Sequence, residues 1–257
     1  MKIVFFLLLH TIVMDTFAQQ LQPIPSGAFH WADLPVRKNN QREGRKIAEG
    51  TTAEFEYFEM HTTVQEKGAV PSAVHTQQDI EELIIVTEGK MKCTIGNKSG
   101  IIGAGGILFI PPLESQAFEN IGDGPLKYYV FMFRSKKPMN IERSNKAGGT
   151  MLLNADSLEF KKTEIGGTVK YFDRPSAMTE NFEMHITQLY HKGPSHAPHQ
   201  HVDTEAILIL EGNTTMTIDG VNYTAGPGDL YIMGSGTLHG ISNAEEKPCR
   251  YFAFKWR

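Results

Sequence analysis

His199, His201, Glu205 and His239 are the residues of this 257-residue chain whose types and spacing could do chemistry together. Successive side chains of an extended strand point to opposite faces, so the odd-numbered His199, His201 and Glu205 face one way if the strand through them is unbroken. A glycine-rich turn, Gly234-Ser235-Gly236, precedes His239, and a neighbouring strand starting there could bring a third imidazole to the same point. Three neutral nitrogens and one anionic oxygen suit one divalent transition metal, and His/carboxylate sets that leave positions open are the usual iron(II) type. Manganese, nickel and zinc fit the same donors, and affinity alone ranks nickel and zinc above manganese and iron. The competing expectation for clustered histidines is a solvated, hydrogen-bonded strand edge.

The glycines around these residues keep a fixed rhythm. Gly193 is followed by five residues, His199, one residue, His201, three residues, Glu205, six residues and Gly212; the second stretch holds Gly228, Gly234, Gly236, His239 and Asn243. This pattern resembles the two characteristic motifs of the cupin superfamily. The one departure is Gly234, where that family has proline, a change expected to loosen a turn without removing a ligand. The resemblance implies that His199, His201, Glu205 and His239 are the ligands of a metal, and that the fold around them is an all-β jelly-roll barrel.

The first half of the chain repeats the scaffold with weaker donors. Its first motif reads Gly68, His75, Gln77, Glu82, Gly89, and its second Gly105, Pro111, Gln116, Asn120. Gln77 stands where the second half has His201, and Gln116 where it has His239. An amide oxygen is a poorer donor than imidazole for transition metals, so His75, Gln77, Glu82 and Gln116 are expected to form at best a weak second metal site. Four residues separate Gln77 from Glu82, against three in the other half, and the odd step turns Glu82 away unless a bulge absorbs it. The competing reading is a hydrogen-bonded polar cluster inside a barrel.

The elements that position these residues are short strands. Runs at 55–64, 83–86, 91–95, 107–110 and 127–133 alternate or are rich in β-branched and aromatic residues, with Gly, Pro, Asn and Asp between them. Glu82, Gly89, Gly105, Asn120, Pro125 and Phe131 recur 123 residues later as Glu205, Gly212, Gly228, Asn243, Pro248 and Phe254. So long a period signals duplicated domains rather than a stacked array. Two tandem jelly-roll β-barrels are therefore expected: a barrel over 50–135, a linker over 136–150 rich in Lys, Asn, Ser and Gly, and a second barrel over 151–257. The polar segment 19–49 is expected either to lie across a barrel or neighbouring subunit or to be loosely ordered.

Residues 1–18 read as a signal peptide: Lys2, an apolar run over 3–13 interrupted by His10, and small residues before a cut near Ala18. An exported mature chain without a membrane span is expected, because the run is too short to cross a bilayer. Cys93 and Cys249 are one to each half, and buried free thiols are favoured over a pair. The formal net charge is −4 and no basic run reaches five residues, which argues against nucleic acid as a partner.

His196, just before the ligand stretch, is expected to act as an outer partner, a substrate contact or a plain loop histidine. His61 and His185 recur in both halves outside the motifs and are expected to be structural. Cupin resemblance implies several enzyme classes, among them dioxygenases, oxalate decarboxylases, sugar isomerases and ureidoglycine aminohydrolases, and does not choose among them. The functional expectation is an exported metalloenzyme acting on a small oxygen-rich substrate, a sugar acid or oxo acid, in the second barrel. The alternative is a non-catalytic binding protein for a sugar or other small molecule. A dimer of two-barrel chains is the expected assembly.

Overall fold

The computed structural model describes residues 20–257, so the expected signal segment 1–18 lies outside the described residues. The chain forms two jelly-roll barrels, each a seven-stranded antiparallel sheet packed on a four-stranded one. The first barrel's large sheet runs Met151–Leu153, Ile107–Ile110, Glu81–Glu88, Leu126–Ser135, Phe55–Gln65, Arg42–Gly50, Arg37–Asn39. The second barrel's runs Gly27–Phe29, Leu230–Met233, Thr204–Glu211, Cys249–Trp256, Phe182–Leu189, Gly166–Arg174, Phe160–Lys162.

Alternation along each strand divides the apolar residues between two destinations. On Glu81–Glu88, Ile84 and Val86 fill the first barrel, while Leu83 and Ile85 join a central core shared with the other barrel. On Thr204–Glu211, Ile207 and Ile209 point into the second barrel and Ala206 and Leu208 into the shared core. The two large sheets thus pack back to back. Aromatic rings fill the seam: Phe55 stacks on Phe133 and Trp256 with centroids 4.8 and 5.5 Å away, and the repeat-related Phe131 and Phe254 meet edge to face at 4.9 Å. A strand carrying apolar residues on both faces needs both barrels to cover it.

The outermost strand of each large sheet comes from the other half of the sequence. Gly27–Phe29 pairs with Leu230–Met233, closing the second barrel's edge with a segment that precedes the first barrel. Met151–Leu153 pairs with Ile107–Ile110 and does the same for the first barrel. The segment 19–49 is therefore ordered from residue 20 onward: it crosses to the second barrel and returns as two strands of the first barrel's sheet. Residues 151–153, grouped by sequence with the second barrel, lie in the first barrel's sheet. The linker 136–150 holds one short helix, Ile141–Lys146, capped by the Asn140 side chain. Such exchange pairs otherwise open edges, which explains why the sequence pattern could not assign them.

The exchange also explains the one motif departure. The Gly234 N–H donates to Ser26 Oγ at 2.9 Å, a bond that proline, lacking an N–H, cannot make. Gly234 does not loosen the turn; it ties the crossing segment to it. In the first half the repeat-related pair is Pro111 and Thr150, and there Thr150 Oγ1 is buried without a partner.

Cys93 and Cys249 are buried and unpaired, in the interiors of the first and second barrels respectively. No helix among the described residues is long and apolar enough to cross a membrane.

Candidate metal centre

The four residues singled out by spacing meet at the mouth of the second barrel. One ligand-capable atom from each of His199, His201 and His239 lies within 4.8 Å of the others. Glu205 Oε2 lies 2.9 Å from His201 Nε2 and 3.2 Å from His239 Nε2. The reason they converge differs from the parity argument. The strand is broken: Thr204–Glu211 carries only Glu205, and 202–203 form a bend. Glu205 points inward because it shares the face of Ile207 and Ile209. His199 reaches the site through an isolated antiparallel bridge to His239, and His201 sits in irregular backbone between the two.

Two of the imidazoles are locked by their other nitrogen. His201 Nδ1 lies 2.9 Å from the Asp203 carbonyl oxygen and His239 Nδ1 2.8 Å from that of Thr237, so each Nδ1 carries the proton and donates it. Their Nε2 atoms then present lone pairs to the Glu205 carboxylate unless something cationic lies between. Burial alone would raise the pKa of Glu205, but hydrogen bonds from His201 and His239 outweigh it and hold the carboxyl at about 2. The bond to Glu205 in turn raises the pKa of His201. His199 is shifted down, by burial first and then by the neighbouring imidazoles of His239 and His196. An anionic carboxylate facing oriented lone pairs is the donor set of a divalent transition metal, so the residues fit such an ion.

The site opens into a cavity of about 260 Å³. Across from the histidines its wall carries His185, Thr187, Tyr251 and Lys255, all on strands of the large sheet. Lys255 is the cross-strand neighbour of both Glu205 and Glu183, and its Nζ lies 3.5 Å from Glu183 Oε2. Burial depresses the pKa of His185. His185, expected to be structural, thus faces the cavity; Lys255, Tyr251 and Thr187 were not anticipated at all. The signal that could have found Lys255 is the repeat itself: its counterpart is Met132, an apolar residue packed into the first barrel's core. His196 lines the rim, exposed, its ring 4.6 Å from that of His199. On the neighbouring strands, Trp256 belongs to the shared core, Tyr231 and Met233 to the barrel interior, and Arg250 to a separate cleft.

The first barrel treats the equivalent residues differently. Gln77 Nε2 donates to Glu82 Oε1 at 3.0 Å, and Gln116 is buried with neither amide atom hydrogen-bonded. Gln116 is still close enough to favour the charge on Glu82, although burial dominates and raises that carboxyl's pKa. Glu82 does face inward, on the side of Ile84 and Val86. The extra residue before it falls in bends at 78–79 rather than in a strand bulge, so the parity concern does not apply. His75 is exposed, its Nδ1 3.2 Å from the Ala73 carbonyl oxygen, and pairs in register with Gln116. A carboxyl biased toward its neutral form is a poor start for a cation site, the opposite of Glu205.

Comparison with known proteins matches the family model described as "Cupin domain" at two places, residues 60–132 and 186–255, together more than half of the chain. None of the curated proteins compared matches it. Among solved structures, Ylba from E. coli superposes with a TM-score of 0.71 at 16% identity, over 93% of this chain and 95% of that one. The oxalate decarboxylase of Lactobacillus farciminis, in a formate complex, gives 0.70 at 12% identity over 91% and 87%. AerE from Microcystis aeruginosa gives 0.68 at 14% identity over 87% and 97%. At these identities the likeness is one of fold, and the coverage shows that it includes both barrels.

Proposed function

Because the chain belongs to the cupin family, in two tandem copies, we propose that it is a metal-dependent enzyme acting on a small oxygen-rich acid in the second barrel. The observation that carries this reading is Lys255. A lysine on the inner wall, across from the histidines and beside Glu205 in the sheet, gives the cavity a cationic group in addition to the ion the ligand set would hold. A substrate with a carboxylate at one end and a carbonyl or hydroxyl at the other meets both.

His199, His201, Glu205 and His239 would hold one divalent transition metal, manganese, iron, nickel or zinc. Bound there, the ion supplies Lewis-acid polarisation of a substrate oxygen. The chain's own residues do the rest. Lys255 binds and orients the acid group, Tyr251 and Thr187 offer hydroxyls along the same wall, and His185 stands ready to take a proton, since burial favours its neutral form. Ile207, Met216 and Ile241 give the cavity an apolar wall beside these polar groups. The L. farciminis relative bears the name oxalate decarboxylase, a small-acid enzyme, which agrees with the size of this cavity. The first barrel, with weaker donors at His75, Gln77, Glu82 and Gln116 and Met132 in place of Lys255, would serve as a structural partner. The leader-like residues 1–18 support export with cleavage near Ala18 as part of the same proposal.

The test is to load the purified chain with each metal and offer panels of oxo acids, uronates and oxalate, following oxygen uptake and product. Turnover that falls at least tenfold in Lys255→Met, with bound metal unchanged, is the expected result. Saturable binding without any turnover would replace the enzyme reading with that of a binding protein.

A further inference from the structure

A second cavity, of about 310 Å³, lies between the barrels and shares no residue with the metal centre. It is lined by repeat-related pairs: Glu88 with Glu211, Gly105 with Gly228, and Lys127 with Arg250, the partners of each pair 123 positions apart. Equivalent positions of the two copies therefore face one another across it, as an approximate twofold relation between the barrels requires.

Among the described residues the cations in this cleft make no direct ion pair with a carboxylate, although Glu88 and Asp229 act on Lys127 through space. Arg250 makes no side-chain hydrogen bond among the described residues, and its Nε is buried without a partner. The terminal amino groups of Arg250 are not buried and have no acceptor among the described residues, so they are the donors that a ligand in the cleft would meet. Lys127 is half-buried, and its ammonium rests 3.4 Å from the centroid of Trp31 and 5.6 Å from that of Tyr129 rather than on a carboxylate. Burial lowers its pKa. Glu88 and Glu211 are the cross-strand neighbours of Lys127 and Arg250, but both are exposed and neither forms an ion pair with them among the described residues. Glu88 and Glu211 stay exposed at the rim and Asp229 is engaged by His30, Trp31 and Gly226, so Glu88 and Asp229 favour the charge on Lys127 only through space.

The cleft is also rigidly built. Tyr129 donates its hydroxyl to the Gly228 carbonyl oxygen at 2.8 Å, linking the two barrels across the floor. Trp31 Nε1 donates to the Pro227 carbonyl oxygen at 3.1 Å, which holds the indole against that wall. Gly228 has φ +95° and no room for a Cβ, which would fall 2.2 Å from Trp31 Nε1.

We propose that this inter-barrel cleft is a binding site for a small hydroxylated carboxylate, its acid group held by Arg250 and Lys127 and its hydroxyls by Glu88 and Glu211. Guanidinium binds a carboxylate through two parallel N–H bonds, and the rim carboxylates can only accept, so they select ligands that donate. A volume of about 310 Å³ accommodates a molecule of the size of tartrate. The proposal is independent of the metal chemistry.

Titration calorimetry with L-tartrate tests it, using the native chain, the chain stripped of metal by chelator, and His239→Ala. All three should keep one tartrate site of the same affinity within about twofold, whatever further tartrate the metal centre of the loaded chain takes up. Arg250→Gln and Lys127→Gln, on opposite walls, should each weaken binding at least tenfold while leaving the melting temperature within a few degrees. Succinate, which has the same two carboxylates and no hydroxyls, should bind at least fivefold more weakly. Binding that disappears with the metal or in His239→Ala, yet survives both cleft variants, would place the anion at the metal centre and overturn the proposal. So would the absence of saturable binding to the native chain, or equal affinity for succinate and tartrate.

Discussion

His199 and His239 exchange both of their backbone hydrogen bonds, each N–H donating to the other's carbonyl oxygen at 2.9 Å. This single bridge joins the two motif stretches, whose members are forty residues apart, and sets the two rings 4.8 Å apart. The two motif stretches are therefore held together by main-chain pairing that does not involve either ring.

It follows that His199→Ala or His239→Ala should remove the metal without unfolding the barrel. Elemental analysis of untagged protein should fall from close to one divalent ion per chain to near zero, with the circular dichroism unchanged. His75→Ala should leave the ion in place, because Glu82 is biased toward its neutral form and Gln77 and Gln116 are weaker donors. Two equally tight ions in the native chain would contradict this assignment.

Acid should release the metal through the imidazoles rather than through the carboxylate. Glu205 stays ionised to about pH 2, whereas His201 takes up a proton more readily than an ordinary histidine. Metal binding must displace that proton, so occupancy should decline as pH falls below about 6.5. Dialysis at a series of pH values followed by metal analysis measures it; full retention near pH 4 would count against the three histidines as ligands.

Glu81 should make stability fall with rising pH. It is fully buried between the barrels, accepting from Ser176 Oγ at 2.5 Å and from the Ala177 and Met178 amides at 3.1 Å each, and burial raises its pKa from 4.5 to about 7. Between about pH 4.5 and 7 the folded chain holds a proton that the unfolded chain has lost. This contribution is complete below the lower value, gone above the upper one, and amounts to something on the order of 3 kcal/mol. Glu81→Gln should flatten that part of the pH-stability curve, as read by urea denaturation.

The two barrels should unfold as one unit. Phe55 and Trp256 come from different barrels and stack at 5.5 Å within a core to which both large sheets contribute. Trp256→Ala should cost about 3–5 kcal/mol and lower a single calorimetric transition. Two separated transitions in the native chain would show that the shared core does not couple them.

The Ser26 to Gly234 bond is open to a double-mutant cycle. Ser26→Ala and Gly234→Pro should each cost about 1 kcal/mol, and the double variant little more than either, since both break the same 2.9 Å contact.

The converging cluster of His199, His201, Glu205 and His239, the duplication and the all-β class were legible in the sequence because each is written locally. Imidazole and carboxylate side chains name their own chemistry, a repeat of 123 residues is visible by comparison of the chain with itself, and period-two alternation marks a strand whatever it pairs with. Alternation even assigned Glu205 and Glu82 to the interior once their strands were known, although it misstated how His199 and His201 arrive. What the tertiary structure alone decided is everything set by partners distant in the chain. The exchange of Gly27–Phe29 and Met151–Leu153 between barrels leaves no local mark, since an edge strand of three residues looks the same against any sheet. Lys255 and His185 gain their meaning only from the cavity wall they share, and Lys127 and Arg250 from the cleft that two copies of one fold enclose between them.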